Sequence, residues 1–156
     1  MSLMDAPQYD AKKEARTKNI FIGSLVAVVL IIAIALSGFF MGHGWFFINV
    51  PAEMRVNKFL NTVEAGDFNK AYGIWMNDAE WQQHPQQFDY SLQRFTEDWS
   101  TKSDYGPIHS HKVNFSHRDH SSIIVGVTIN GSPDMLFLLY ETKHDTLSFS
   151  PVKLAY

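Results

Sequence analysis

The residues with the clearest capacity for chemistry are histidines. His109 and His111 form an H-x-H pair, His117 follows further along the same stretch, and His120 and His144 fall in segments that read as turns. Side chains at i and i+2 of a strand share a face, so two imidazoles there can converge on one metal ion. A metal centre needs a third ligand at fixed geometry, and the spacing places none. A polar strand histidine facing a half-wet interior is therefore the favoured reading of His109 and His111, and the sequence calls for no metal and no other cofactor.

Other reactive groups are sparse. The chain has no cysteine, which excludes disulfides, thiolate catalysis and Cys-ligated metal centres. No G-x-S-x-G, phosphate-cradling glycine loop or H-E-x-x-H occurs. Glu97 and Asp98 are adjacent on a helical stretch and point in different directions, which suits a solvated face better than acid–base work. Asp67 and Asp78 are better read as helix caps. A formal net charge of −3 gives no basic footprint for nucleic acid. Binding is better supported than catalysis. Its candidate residues are aromatic: Tyr72, Trp75, Trp99, Tyr105 and Phe115 could wall a ligand pocket, or fill a core as aromatics at helical spacing usually do.

The elements that would position these groups follow from periodicity. Pro51 opens a helix in which Ala52, Val56, Phe59, Leu60 and Val63 form one apolar stripe, and Ala65-Gly66 ends it. Asp67 caps a second helix with Phe68, Ala71, Tyr72 and Trp75 on its apolar face. Asn77-Asp78 gives a further cap signal before a break near Pro85. A third helix, from about Asp89 to Trp99, carries Phe88, Leu92, Phe95 and Trp99, and the Gly106-Pro107 loop follows it.

From Ile108 the period changes to two. His109, His111, Val113, Phe115 and His117 alternate with polar residues, and Ile123, Val125, Val127 and Ile129 alternate after a turn. Asn130-Gly131 is a strong hairpin signal. Met135 to Tyr140 is apolar on both faces, as a central strand would be. The last strand, Leu147 to Leu154, is interrupted by Pro151 and so belongs at an edge or carries a bulge. Helices followed by a meander of about four strands imply an α+β domain, with helices packed on a curved antiparallel sheet.

Ahead of this domain lies Ile20 to Met41, with no charged residue. As a helix it would reach roughly 30 Å, the thickness of a bilayer's hydrocarbon. The sequence thus divides into a disordered cytoplasmic tail (1–19), a transmembrane helix (20–41), an interfacial linker (42–50) and an extracytoplasmic α+β domain (51–156). Lys12, Lys13, Arg16 and Lys18 flank the start of the span, which places the N-terminus in the cytoplasm and the domain in the periplasm or outside the cell. A cleaved signal peptide is the competing reading, but the apolar run exceeds a typical signal core. An uncleaved signal anchor fits its length better. Ala33 with Ser37, and Gly38 with Gly42, are small-x-x-x-small pairs that would let a second membrane helix approach closely.

The segments FLNTVEAGDFNKAYGIW and FDYSLQRFTEDW, with the DYGP loop and the antiparallel sheet after it, resemble the nuclear transport factor 2-like (cystatin-like α+β) superfamily, and within it bacterial membrane-anchored domains of unknown function. Phe59-Leu60, Gly66-Asp67, Ala71, Trp75 and Tyr105-Gly106 carry the resemblance over about two-thirds of the chain. It implies a cone-shaped pocket between helices and sheet, and binding of small molecules or proteins, or dimerisation through the sheet. The Asp and Tyr of the superfamily's isomerases have no counterpart assignable by motif, and Asp145-Thr146-Leu147 stands where a Gly-Trp often precedes the last strand. The expected function is a non-enzymatic, single-pass membrane-anchored binding domain. Its partners would be the bilayer and an envelope protein, a small apolar ligand or a second copy of the chain. The alternatives are an accessory or assembly subunit of a larger membrane complex, including a respiratory one, and a pocket isomerase or hydratase.

Overall fold

Asp10 starts the first helix: its Oδ1 accepts from the backbone N–H of Lys12 at 3.0 Å and Lys13 at 3.1 Å. The computed structural model describes residues 10–84 and 89–154. Helix α1 runs Ala11–Phe40, 30 residues. It therefore begins well before the apolar run, and residues 11–19, expected to be disordered, are helical. The Asp10 cap and the helix-forming AKKEAR segment account for this. Residues 1–9 of the expected tail lie outside the described residues.

The chain divides into two units, Met1–Ala35 and Leu36–Tyr156. The described part of the first is α1 alone. This helix is long and apolar enough to cross a membrane, and its Val28, Leu30 and Ile32 side chains are exposed.

The second unit begins with the end of α1, which closes in a Schellman motif. His43 N–H donates to Gly38 O at 2.8 Å and Gly42 N–H to Phe39 O at 3.3 Å, with Gly42 at φ +80°. A Cβ on Gly38 would overlap the carbonyl oxygen of Gly44. The chain's own turn thus occupies the space that a second helix was expected to use at Gly38, while Gly42 is exposed and ends the helix. Ser37 is half-buried in this unit, and Ala33, in the first, is exposed.

Helix α2 is Phe46–Glu64, with Pro51 inside it. The expected linker 42–50 is thus half helical. Proline at this position leaves the Phe47 carbonyl without its helical donor. The extra turn is held by Asn49, which is buried and donates through Nδ2 to Ser116 Oγ at 3.0 Å. The stripe Ala52, Val56, Phe59, Leu60 and Val63 is buried as its spacing predicts. Ala65 and Gly66 close α2 with a second Schellman pair: Asp67 N–H to Thr62 O at 3.1 Å and Gly66 N–H to Val63 O at 2.9 Å.

Helix α3, Phe68–Met76, has Asp67 as its cap, accepting from Lys70 N–H at 3.1 Å. Asn77 ends α3 in the left-handed region at φ +54° rather than starting a new helix. A single 3₁₀ turn, Trp81–Gln83, follows. Helix α4 is Leu92–Asp98, shorter than expected because Ser91 caps it by accepting from Arg94 N–H. Pro85 and Phe88 lie outside the described residues.

The sheet is an antiparallel meander in the order β1-β2-β3-β4: β1 His111–Asp119, β2 Ser122–Ile129, β3 Met135–Glu141 and β4 Thr146–Phe149. The fold is α+β with an open four-stranded sheet. Strand β4 lies at an edge and stops before Pro151, which cannot donate to a ladder. Asn130 and Gly131 both have positive φ, +51° and +71°, and Ser132 N–H closes their turn onto Ile129 O at 2.8 Å. The helices cover one sheet face, burying Ile123, Val125, Val127, Ile129, Leu138 and Leu147 with the α2–α4 aromatics. The opposite face carries a smaller cluster of Phe115, Ile124 and Phe137.

Candidate functional site

The aromatic candidates separate into three environments. Tyr72 and Trp75 are core. Phe59, fully buried, meets Trp99 edge-on at 4.8 Å between ring centroids, Trp75 at 5.0 Å and Phe95 at 6.1 Å. Tyr72 packs on Phe95 and Trp81 at 5.4 and 4.8 Å, and its hydroxyl donates to Tyr90 O at 2.5 Å. Burial pushes its ionisation above the ordinary tyrosine value. These edge-on rings fill the space between helices and sheet where an apolar pocket was expected, which leaves Tyr72 and Trp75 as packing residues.

Phe115 is on the other sheet face. The β1–β2 register slips between Val113, opposite Val127, and Phe115, opposite Gly126. Asn114 is the extra residue of this bulge, and its Nδ2 donates to Thr128 Oγ1 at 2.7 Å. One inserted residue reverses the alternation, so Phe115 points away from Tyr72, Trp75 and Trp99. Its ring lies over Gly126, where a Cβ would come within 2.5 Å of it. Phe115 is accordingly removed from the pocket set.

Trp99 and Tyr105 do meet at a cleft of about 320 Å³, at the small end of the roughly 300–1,000 Å³ typical of ligand pockets. The end of α4 and the following loop supply Asp98, Trp99, Lys102 and Tyr105. Strands β3 and β4 supply Phe137 and Phe149, and the C-terminal segment supplies Lys153. Phe149 stacks on Trp99 at 5.4 Å with the planes 14° apart. Trp99 is 3% exposed, and its Nε1–H is buried without a hydrogen-bond partner among the described residues. A buried donor left unpaired costs about 1–3 kcal/mol.

Surrounding polar groups set the character of the cleft. Tyr90 donates to Asp98 Oδ2 at 2.9 Å; burial first, then this bond, pushes the Tyr90 ionisation well above its ordinary value. Tyr105 is also raised, by burial and then by Asp134 and Asp104. Both phenols therefore remain neutral around pH 7. Lys102 is hydrogen-bonded to Glu97, which raises the lysine and lowers the carboxyl. The loop carrying Tyr105 is tied to the sheet by one amide. Asn130 Nδ2 donates to Tyr105 O at 3.1 Å and Pro107 O at 2.9 Å, and Oδ1 accepts from the N–H of His109 and Ser110.

No family model, curated protein or solved structure matches the chain. The chemistry of the site must therefore be argued from its own residues. The histidine pair does not converge: His109 is exposed and precedes β1, whereas His111 faces α2, with Nδ1 2.6 Å from Glu64 Oε1 and Nε2 2.8 Å from Asn57 Oδ1. Among the described residues no group of three His, Asp or Glu side chains could hold a metal ion. Sequence reasoning missed Phe149, Lys153 and Asn130. Phe149 lay in an assigned strand whose inward parity could have been read. The Asn-Gly signal found the turn at Asn130 but says nothing of where its amide reaches.

Proposed function

We propose that the chain is a non-enzymatic, single-pass membrane-anchored binding domain, and that the cleft at Trp99 receives its ligand. The carrying observation is the Trp99 Nε1–H, unpartnered among the described residues, in a wall that combines the aromatic Trp99, Tyr105, Phe137 and Phe149 with the charged Asp98, Lys102, Asp104 and Lys153. Such a wall fits a short amphipathic segment or small molecule that places an acceptor oxygen against the indole N–H and apolar surface on Phe149 and Phe137. Lys102 and Lys153 stand beside Asp98 and Asp104 in this lining, which suits a polar ligand rather than a strongly charged one. The order of helices and meander, with the turn at Gly66-Asp67, supports the reading of a nuclear transport factor 2-like domain.

The test keeps the ring and removes the donor. Full-length protein extracted in mild detergent is examined by native mass spectrometry for whatever remains bound, and Trp99→Phe is compared with it. Occupancy is expected to fall roughly tenfold in the variant, the effect of one lost buried hydrogen bond, with unchanged far-ultraviolet circular dichroism. Equal occupancy in both proteins, or an empty wild-type protein, removes the cleft from the account.

Orientation in the bilayer rests on Lys12, Lys13, Arg16 and Lys18 before the apolar run, which favour retention of the N-terminus inside. The α+β unit would then work outside the cytoplasmic membrane, where tethering raises its effective concentration near membrane partners. A tag placed after Tyr156 should be digested by protease added to intact spheroplasts, and one at Met1 should be protected. The reverse pattern overturns the orientation.

A further inference from the structure

A second cavity, of about 540 Å³, opens where α1 ends, between that end, the start of α2 and the β1–β2 hairpin. Phe39 and Trp45 form its apolar side, edge-on at 5.2 Å. Arg118 is the cation at its rim, between His117 and His120. No side chain caps the N-terminus of α2 at Trp45, so the positive end of a 19-residue helix adds to this field.

A second observation points to a ligand with a donor. Asn49 lines the cavity and is 1% exposed; its Nδ2 is used by Ser116, but its buried Oδ1 has no hydrogen-bond partner among the described residues. Ser116 and Arg118 share a strand face, so the amide and the guanidinium border the same space. Arg118 is steadied by its Nε–H, which donates to His120 O at 3.3 Å. Asp119, next to Arg118 in the chain, is engaged with His120 Nδ1 at 2.7 Å, and Glu53 with His43 Nδ1 at 2.7 Å.

We infer that this cavity binds the headgroup of a bilayer phospholipid, with the phosphodiester at Arg118 and a headgroup hydroxyl donating to Asn49 Oδ1. An anion accounts for Arg118 and the helix terminus, a donor for the amide oxygen, and an attached apolar body for Phe39 and Trp45. Phosphatidylglycerol carries all three features. Phosphatidylcholine has the phosphodiester but no headgroup N–H or O–H, and inorganic phosphate has no apolar body. The site would fix the α+β unit against the membrane surface beyond what a tether alone achieves.

The inference rests on α1 being a membrane span, and the experiment separates the two. Full-length protein in mild detergent is titrated with phosphatidylglycerol, phosphatidylcholine and inorganic phosphate, and native mass spectrometry reads what is retained. A single phosphatidylglycerol is expected per chain, with roughly tenfold weaker retention of phosphatidylcholine and of phosphatidylglycerol by Arg118→Ser, as for one charge-assisted hydrogen bond. Partial recovery is expected with Arg118→Lys, which restores the charge without the planar fork. Arg118 is exposed, so these variants fold. Retention unaffected by Arg118→Ser, equal retention of the two lipids, or displacement of lipid by inorganic phosphate each overturns the inference. A chain that alkaline carbonate strips from vesicles refutes the span; a chain that stays and retains no lipid refutes only the headgroup site.

Discussion

Aspartate at both Val28 and Ile32 should convert the protein from carbonate-resistant to carbonate-extractable. Both residues lie near the middle of the apolar run and one turn apart on the same side of α1. An aspartate at the centre of a membrane helix costs about 3 kcal/mol on the insertion scale, so the pair costs about 6 kcal/mol. That is roughly four orders of magnitude in the insertion equilibrium. The α+β core is built from residues 52–147 and contains neither position, so the released chain should keep its circular dichroism. Val28→Leu with Ile32→Leu preserves hydrocarbon character and should stay in the pellet. Sedimentation of washed vesicles checks both. If the double aspartate variant stays with the membrane and the wild type washes free, α1 is not a span.

The elements that periodicity placed well are those whose side chains face one environment. The α2 stripe, the α3 cap at Asp67, and the β2 alternation of Ile123, Val125, Val127 and Ile129 are local patterns, and all three stand in the fold. What could not be read depends on contacts distant in sequence. Helix α2 continues back through Pro51 to Phe46 because Asn49 is held by Ser116, 67 residues away. The bulge at Asn114 leaves no mark in composition, yet it moves Phe115 from one sheet face to the other and dissolves the expected five-residue pocket. The glycines at Gly38 and Gly42 illustrate the same limit. Their spacing matches a helix–helix motif, but one admits the Gly44 backbone and the other ends the helix with positive φ. Of the site itself, Trp99 and Tyr105 were legible as aromatics. The unpartnered indole N–H was not, because hydrogen-bond satisfaction belongs to the packed state.

Phe59→Ala should destabilise the α+β unit by about 3–5 kcal/mol, the usual cost of emptying a fully buried phenylalanine site. The ring is the hub of the core: Trp75, Phe95 and Trp99 all contact it edge-on or tilted. Three large rings around the void cannot collapse into it without leaving their rotamers, which puts the cost at the upper end. For a unit of this size the melting temperature should drop on the order of 10–20 °C. Phe115→Ala offers the decisive comparison. Phe115 packs on the opposite face in a cluster of three buried residues, with Phe137 at 6.1 Å, so fewer buried side chains surround the void its loss would leave. Its loss should cost about half as much, and it should leave the near-ultraviolet circular dichroism of the buried tryptophans unchanged, whereas Phe59→Ala should weaken it. Thermal melts of the detergent-solubilised full chain read both effects. Equal melting temperatures for the two variants would mean that the stability of the unit does not centre on the helix-covered face, and the position of Trp99 in the cleft wall would then lose its structural support, because Phe59 is what holds that indole from behind.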